Sequence, residues 1–140
     1  MTLKRFCFEQ LENGNLMGEY TINYTLEINE ENAVFLSENH QTEEHLNNAF
    51  CDKKNTPPFL GKYRTSWFDG SEVTMNLRIF HKTSADRKFI VLEWTNDDRE
   101  IMFLGEGFLA YDKLYGDCWD VSIVGQMAKS PTTRQFIDAR

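Results

Sequence analysis

The sequence predicts an all-β protein, an antiparallel up-and-down barrel of about eight strands. Apolar and polar residues alternate with a period of two over several segments, for example from Val73 to Ile79, which is typical of a strand with one wet face. Turn motifs separate these segments at intervals of about 8 to 12 residues, which indicates tight hairpins. Aromatic residues make up 14% of the chain, a large share for the core of a two-sheet sandwich.

The predicted strands follow one another with short turns between them. Asn-Gly and Asp-Gly pairs favour the positive backbone angles of hairpin turns, and the chain has both, at Asn13-Gly14 and Asp69-Gly70. Further turns are predicted at residues 84–86, 96–98 and 111–113. The strands predicted between them cover about residues 3–11, 16–28, 33–37, 59–68, 72–82, 87–95, 99–110 and 113–124.

Two polar segments lie outside this strand pattern. The loop from 38 to 58 contains a short predicted helix that begins at Thr42, whose hydroxyl suits an N-cap, and ends before Pro57-Pro58. Ser130-Pro131 provides an N-cap and a first helical position for a short C-terminal helix. No linker divides the chain, so residues 1–140 are expected to form a single domain.

A closed barrel is favoured over a two-sheet sandwich, the other way to arrange about eight antiparallel strands. Closure removes the exposed edge strands that an open sheet leaves. Glycines stand inside the predicted strands, where the coiling of a small barrel requires them. They are Gly61, Gly105, Gly107 and Gly116.

Composition and charge disfavour several classes of protein. Fifteen basic and 22 acidic residues give a net charge of −7, which disfavours nucleic-acid binding. The longest apolar runs, such as that from Ile101 to Leu104, are too short for a membrane span. No secretory signal is recognised, and the three cysteines form no CxxC pair, so we expect a cytoplasmic protein without a disulfide framework. His40 and His45 lie in a polar loop without helical metal-ligand spacing, and no metal or cofactor is predicted.

Several short motifs resemble the calycin superfamily of lipocalins, fatty-acid-binding proteins and avidins. The resemblance rests on Gly61-Lys62-Tyr63 with Trp67, the following meander, the segment from Leu104 to Phe108, and Trp119 on the closing strand. The lipocalin signature is Gly-x-Trp, whereas this chain has tyrosine in the third place, in Gly61-Lys62-Tyr63 and in Gly18-Glu19-Tyr20. The resemblance implies a cup-shaped barrel that binds an apolar molecule, and it does not identify the ligand.

The predicted ligand site is the inside of this barrel, where aromatic side chains supply contact area and charged groups fix the polar end of a small apolar or aromatic molecule. The aromatic and apolar candidates are Tyr63, Trp67, Met75, Leu77, Trp94, Phe103, Tyr115 and Trp119. The polar candidates are Arg64, Arg78, His81, Glu93 and Glu106. The acidic run from Glu27 to Glu31 is expected to face solvent.

Two other functions stay open from the sequence. One is a protein–protein interaction module with a filled barrel, which acts through its acidic surface and the 38–58 loop. The other is a small enzyme that uses an interior carboxylate and His81. Known nucleophile, phosphate-loop and metalloprotease motifs are not recognised, which favours binding over catalysis. Outward-facing Phe68, Phe80 and Phe108 would also suit a homodimer.

Overall fold

A computed structural model of the protein describes residues 3–23, 25–37 and 57–121. They form a closed barrel in which each strand pairs antiparallel with its neighbours in the chain, and the last strand pairs with the first. The predicted fold class is therefore confirmed. The strands are β1 (Leu3–Gln10), β2 (Leu16–Ile22), β3 (Asn29–Ser37), β4 (Gly61–Phe68), β5 (Glu72–Ser84), β6 (Arg87–Thr95), β7 (Ile101–Ala110) and β8 (Lys113–Asp120). Both predicted helices, and residues 122–124 of the last predicted strand, lie outside the described residues.

The predicted turns are confirmed by their backbone angles. Ala85 and Asp86 have φ of 50° and 64°, and Tyr111 and Asp112 have φ of 53° and 61°, as two-residue type I′ hairpins require. Gly70, between β4 and β5, has φ of 74°. The right-handed twist that such turns impose on their strands is compatible with closure into a barrel.

The boundary between β2 and β3 differs from the prediction. The predicted strand 16–28 ends at Ile22, Asn23 has φ of 48°, and Leu26 is 98% exposed. The third strand begins at Asn29, four residues before the predicted start at 33. The alternation of apolar residues continues through Leu26 and Ile28, but these side chains lie in a connection and not on the wall of the barrel.

The barrel interior is filled by side chains from all eight strands. Close approach of aromatic rings to the two neighbouring strands explains two of the glycines in the strands. A methyl group at Gly116 would meet the Phe6 ring 2.6 Å away as well as the Glu106 carbonyl oxygen, and one at Gly18 would overlap the Phe8 ring. Glycine at these positions thus provides the space in which β1 packs its two phenylalanines.

Candidate functional site

One end of the barrel is closed by neutral groups. Phe59, just before β4, is 3% exposed, and its backbone N–H donates to Gln10 Oε1 at 2.8 Å. The Tyr63 hydroxyl donates to the Phe59 carbonyl oxygen at 2.7 Å and accepts from Gln10 Nε2 at 3.0 Å. Phe59 holds φ at 69°, a strained conformation for an aromatic residue, which these hydrogen bonds help to fix. We call this the plug end.

The opposite end holds a lysine among aromatic rings. The Lys4 ammonium nitrogen lies 4.8 Å from the centroid of the Tyr20 ring, 4.8 Å from that of Trp67 and 4.6 Å from that of Phe103. Trp67 and Phe103 pack edge to face, with their centroids 6.0 Å apart. These distances are those of cation–π contacts. We call the three rings the aromatic cage and this end of the barrel the cage end.

A buried carboxylate lies below the aromatic cage. Glu31 on β3 is 6% exposed, and its Oε2 accepts from the Thr65 hydroxyl at 2.6 Å and from the Trp94 indole N–H at 2.9 Å. Thr65 and Trp94 are themselves buried and stand on β4 and β6. Three strands therefore hold one carboxylate in place, as a buried charge requires.

Burial raises the pKa of three ionisable groups at the cage end. Desolvation raises the pKa of Glu31 above its usual range, while the hydrogen bonds from Thr65 and Trp94 and the positive charge of Lys4 act in the opposite direction. Burial also raises the pKa of Tyr20 and of Cys118, and the negative charge of Glu31 adds to both effects. The carboxylate therefore adds to the effect of burial on both neighbouring groups.

This arrangement favours a positively charged or proton-donating group. Aromatic faces attract a cation, and a carboxylate in a low-dielectric surrounding attracts it more strongly than in water. The raised pKa also means that Glu31 can hold a proton under conditions where a solvated glutamate is ionised. Perturbed carboxylates of this kind concentrate at binding and catalytic sites.

The structure places six of the sequence-predicted site residues inside the barrel. Trp67, Trp94 and Phe103 lie together at the cage end, around Glu31 and Lys4. Tyr63 belongs to the plug end, and Met75 and Leu77 are buried in the core.

The other seven lie outside the barrel interior, six of them on the outer wall. Arg64 pairs with Asp97 at 2.8 Å, the Arg78 guanidinium lies 3.9 Å from the Phe80 ring centroid, and Tyr115 stacks on Phe108. Glu93, Glu106 and Trp119 line a shared outer groove. His81 is exposed near the far end of β5, close to the plug end and away from Glu31. The structure therefore does not bring His81 and the interior carboxylate together.

The sequence-predicted site residues did not include Lys4, Tyr20, Glu31 or Thr65. The expectation that Glu31 faces solvent is wrong. Ala33, Phe35 and Ser37 alternate on the inner face of β3, and extending this alternation back by two residues reaches Glu31. The sequence analysis did not use this alternation because it extended the second strand to residue 28 and began the third at residue 33.

The outer groove lies across β5, β6, β7 and β8 and has a volume of about 720 Å³. Its apolar floor includes Phe80, Val91 and Leu104, and Lys82, Glu93 and Glu106 contribute charged groups. Within residues 3–23, 25–37 and 57–121 no three metal-ligating side chains cluster. His40 and His45 lie outside this range.

Comparison with protein-family models, with curated proteins and with solved structures finds no match for this chain. In the part of the chain that the structure describes, no helix has the length and apolar character needed to cross a membrane.

Proposed function

We propose that this protein is a calycin-like binding protein for a small, largely apolar molecule, which it takes up at the cage end. The observation that carries the proposal is the convergence of the aromatic cage, Glu31 and Lys4 at one end of the barrel. Apolar walls with a few fixed polar groups are characteristic of small-molecule sites.

The contrast between the two ends supports this assignment. Phe59, Gln10 and Tyr63 close the plug end with mutual hydrogen bonds. At the cage end the Lys4 side chain is only half-buried and lies among three aromatic rings. A ligand that enters here would replace this one side chain and would leave the packed core intact.

The up-and-down order of eight strands supports the calycin-like part of the proposal, which rests on architecture alone. We also assign the protein to the cytoplasm. The free thiols of Cys7 and Cys118 support this, because such thiols persist in a reducing compartment.

Native mass spectrometry of the freshly purified protein, compared with its denatured mass, tests the proposal. We expect a reproducible non-covalent adduct. Two substitutions on the same strand locate it: Phe103→Leu removes a cage ring, whereas Phe108→Leu changes a side chain that is 62% exposed on the outer wall. The adduct should weaken with Phe103→Leu and persist with Phe108→Leu. An adduct that is equally strong in both variants would contradict the proposed site.

Protein–protein interaction is the second candidate function, and the outer groove favours it. Phe80, Val91 and Leu104 present an apolar surface there, bordered by charges of both signs. A Leu104→Glu substitution should abolish any self-association that sedimentation velocity detects in the wild type. Self-association that survives this change would exclude the groove as the dimer surface.

A further inference from the structure

We propose that the aromatic cage recognises a small organic ammonium ion and that Lys4 is a built-in occupant, which this ligand displaces. The inference rests on the proposed function and narrows its ligand class. Three rings from three different strands, Tyr20 on β2, Trp67 on β4 and Phe103 on β7, surround one cation. Three-ring convergence of this kind is how proteins recognise alkylated ammonium groups.

The rings of the cage are packed in place without a ligand. Tyr20 and Trp67 are 4% and 6% exposed, and the edge-to-face contact between Trp67 and Phe103 fixes the angle between their rings. A preorganised site binds without the ordering cost that a flexible one incurs. The cage therefore selects for a group that fits its present shape, which is the shape of an alkylammonium.

Glu31 provides the charge that makes a cation, and not a neutral alkyl group, the preferred occupant. Its carboxylate is held by Thr65 and Trp94, so it keeps its position when the cage changes occupant. The attraction of Lys4 to this carboxylate is visible in the way the Lys4 charge lowers the pKa of Glu31. Any cation that takes the place of the Lys4 ammonium meets the same field.

Lys4 reduces the apparent affinity because it competes for the cage. A ligand binds only the fraction of molecules in which the cage is free, so the apparent dissociation constant rises by the inverse of that fraction. Contacts of the half-buried Lys4 ammonium with three aromatic rings are strong enough to reduce the free fraction roughly tenfold. Removing the lysine side chain should therefore raise the affinity for a free ammonium ion by about the same factor.

The test uses n-butylammonium, which matches the length of the lysine side chain, and 1-butanol as its neutral counterpart. Titrations are followed by the NMR signals of the Trp67 and Trp94 indole N–H groups in the wild type, in Lys4→Ala and in Lys88→Ala, which removes an exposed lysine on β6. We expect Lys4→Ala to bind n-butylammonium about tenfold more tightly than the wild type does. Lys88→Ala should match the wild type, and 1-butanol should bind at least tenfold more weakly.

Equal binding of 1-butanol and n-butylammonium would overturn the ammonium class and leave the proposed function in place. Failure of both probes to shift the Trp67 signal in folded Lys4→Ala would overturn the proposed site as well. If Lys4→Ala does not fold, a titration of the wild type with tetramethylammonium tests the displacement of Lys4 instead. The Lys4 ε-methylene signals, shifted upfield by the three rings, should return to ordinary values as tetramethylammonium saturates the protein. Signals that stay shifted at saturation would refute displacement.

Discussion

Replacing Thr65 with valine removes one hydroxyl from the buried site and keeps the branched shape of the side chain. Thr65 is fully buried, and its hydroxyl donates to Glu31 Oε2 at 2.6 Å, a length typical of a hydrogen bond to an ionised carboxylate. A hydrogen bond to a charged group contributes about 1.5–3 kcal/mol, against about 0.5–1.5 kcal/mol for a neutral pair. We therefore expect Thr65→Val to lower the free energy of unfolding by about 2 kcal/mol when Glu31 is ionised and by about 1 kcal/mol when it is protonated.

The penalty should depend on pH with a defined sign. Burial raises the pKa of Glu31 in the folded protein, so Glu31 stabilises the fold most at low pH, and this contribution is lost as the pH rises through the folded-state value. The Thr65 hydrogen bond lowers that pKa, and without it the ionised form becomes still less favourable. The difference between wild type and Thr65→Val should thus grow from pH 5 to pH 8.

Urea unfolding at pH 5 and pH 8 measures this difference, with Thr83→Val, at an exposed position of β5, as the control. In a Glu31→Gln background the penalty of Thr65→Val should be about 1 kcal/mol at both pH values. A penalty that is the same at both pH values in the wild-type background would refute the assignment of a charge-dependent hydrogen bond. A penalty of Thr65→Val that still depends on pH in the Glu31→Gln background would refute the same assignment.

Three further predictions concern residues away from Thr65. Gly116→Ala should destabilise the barrel by about 3 kcal/mol, because a methyl group has no room against the Glu106 carbonyl oxygen; a normal urea midpoint would contradict this packing. Tyr63→Phe should cost about 1–3 kcal/mol in the same assay, since it leaves the buried Phe59 carbonyl without its hydroxyl donor. Cys118 on β8 should resist alkylation in the folded protein, because burial raises the pKa of its thiol. Peptide mapping that finds Cys118 alkylated before the protein unfolds would contradict this prediction.

Local sequence signals predicted most of the fold. Turn pairs such as Asp69-Gly70 and the alternation of apolar and polar residues on β5 are local signals. They depend on neighbouring residues only and predict the same structure whatever the rest of the chain is. Closure was also predictable, because glycines inside strands mark places where a ring or a backbone comes close, as Gly116 does with Phe6. These features follow from local geometry and from the need to remove sheet edges.

The candidate site was less predictable because it depends on which face of each strand points inward. Period-two alternation defines two faces but not which of them is the core, and an error in strand boundaries hides a residue at the end of a face. Glu93 and Glu106 were expected inside and lie on the outer wall, whereas Glu31 was expected outside and lies inside. The pairing of β3 with β4, which sets Glu31 opposite Trp67, joins residues far apart in the chain and has no local signal.

The two ends of the barrel give the strongest argument that Glu31 has a function beyond folding. Both ends face the same physical problem, which is to close a packed interior against water. The plug end solves it with Phe59 and neutral hydrogen bonds from Gln10 and Tyr63. At the cage end the chain instead buries a carboxylate, although an apolar replacement of similar volume often stabilises a protein. Folding alone does not favour that choice, whereas the proposed recognition of a cation between Glu31 and the aromatic cage would.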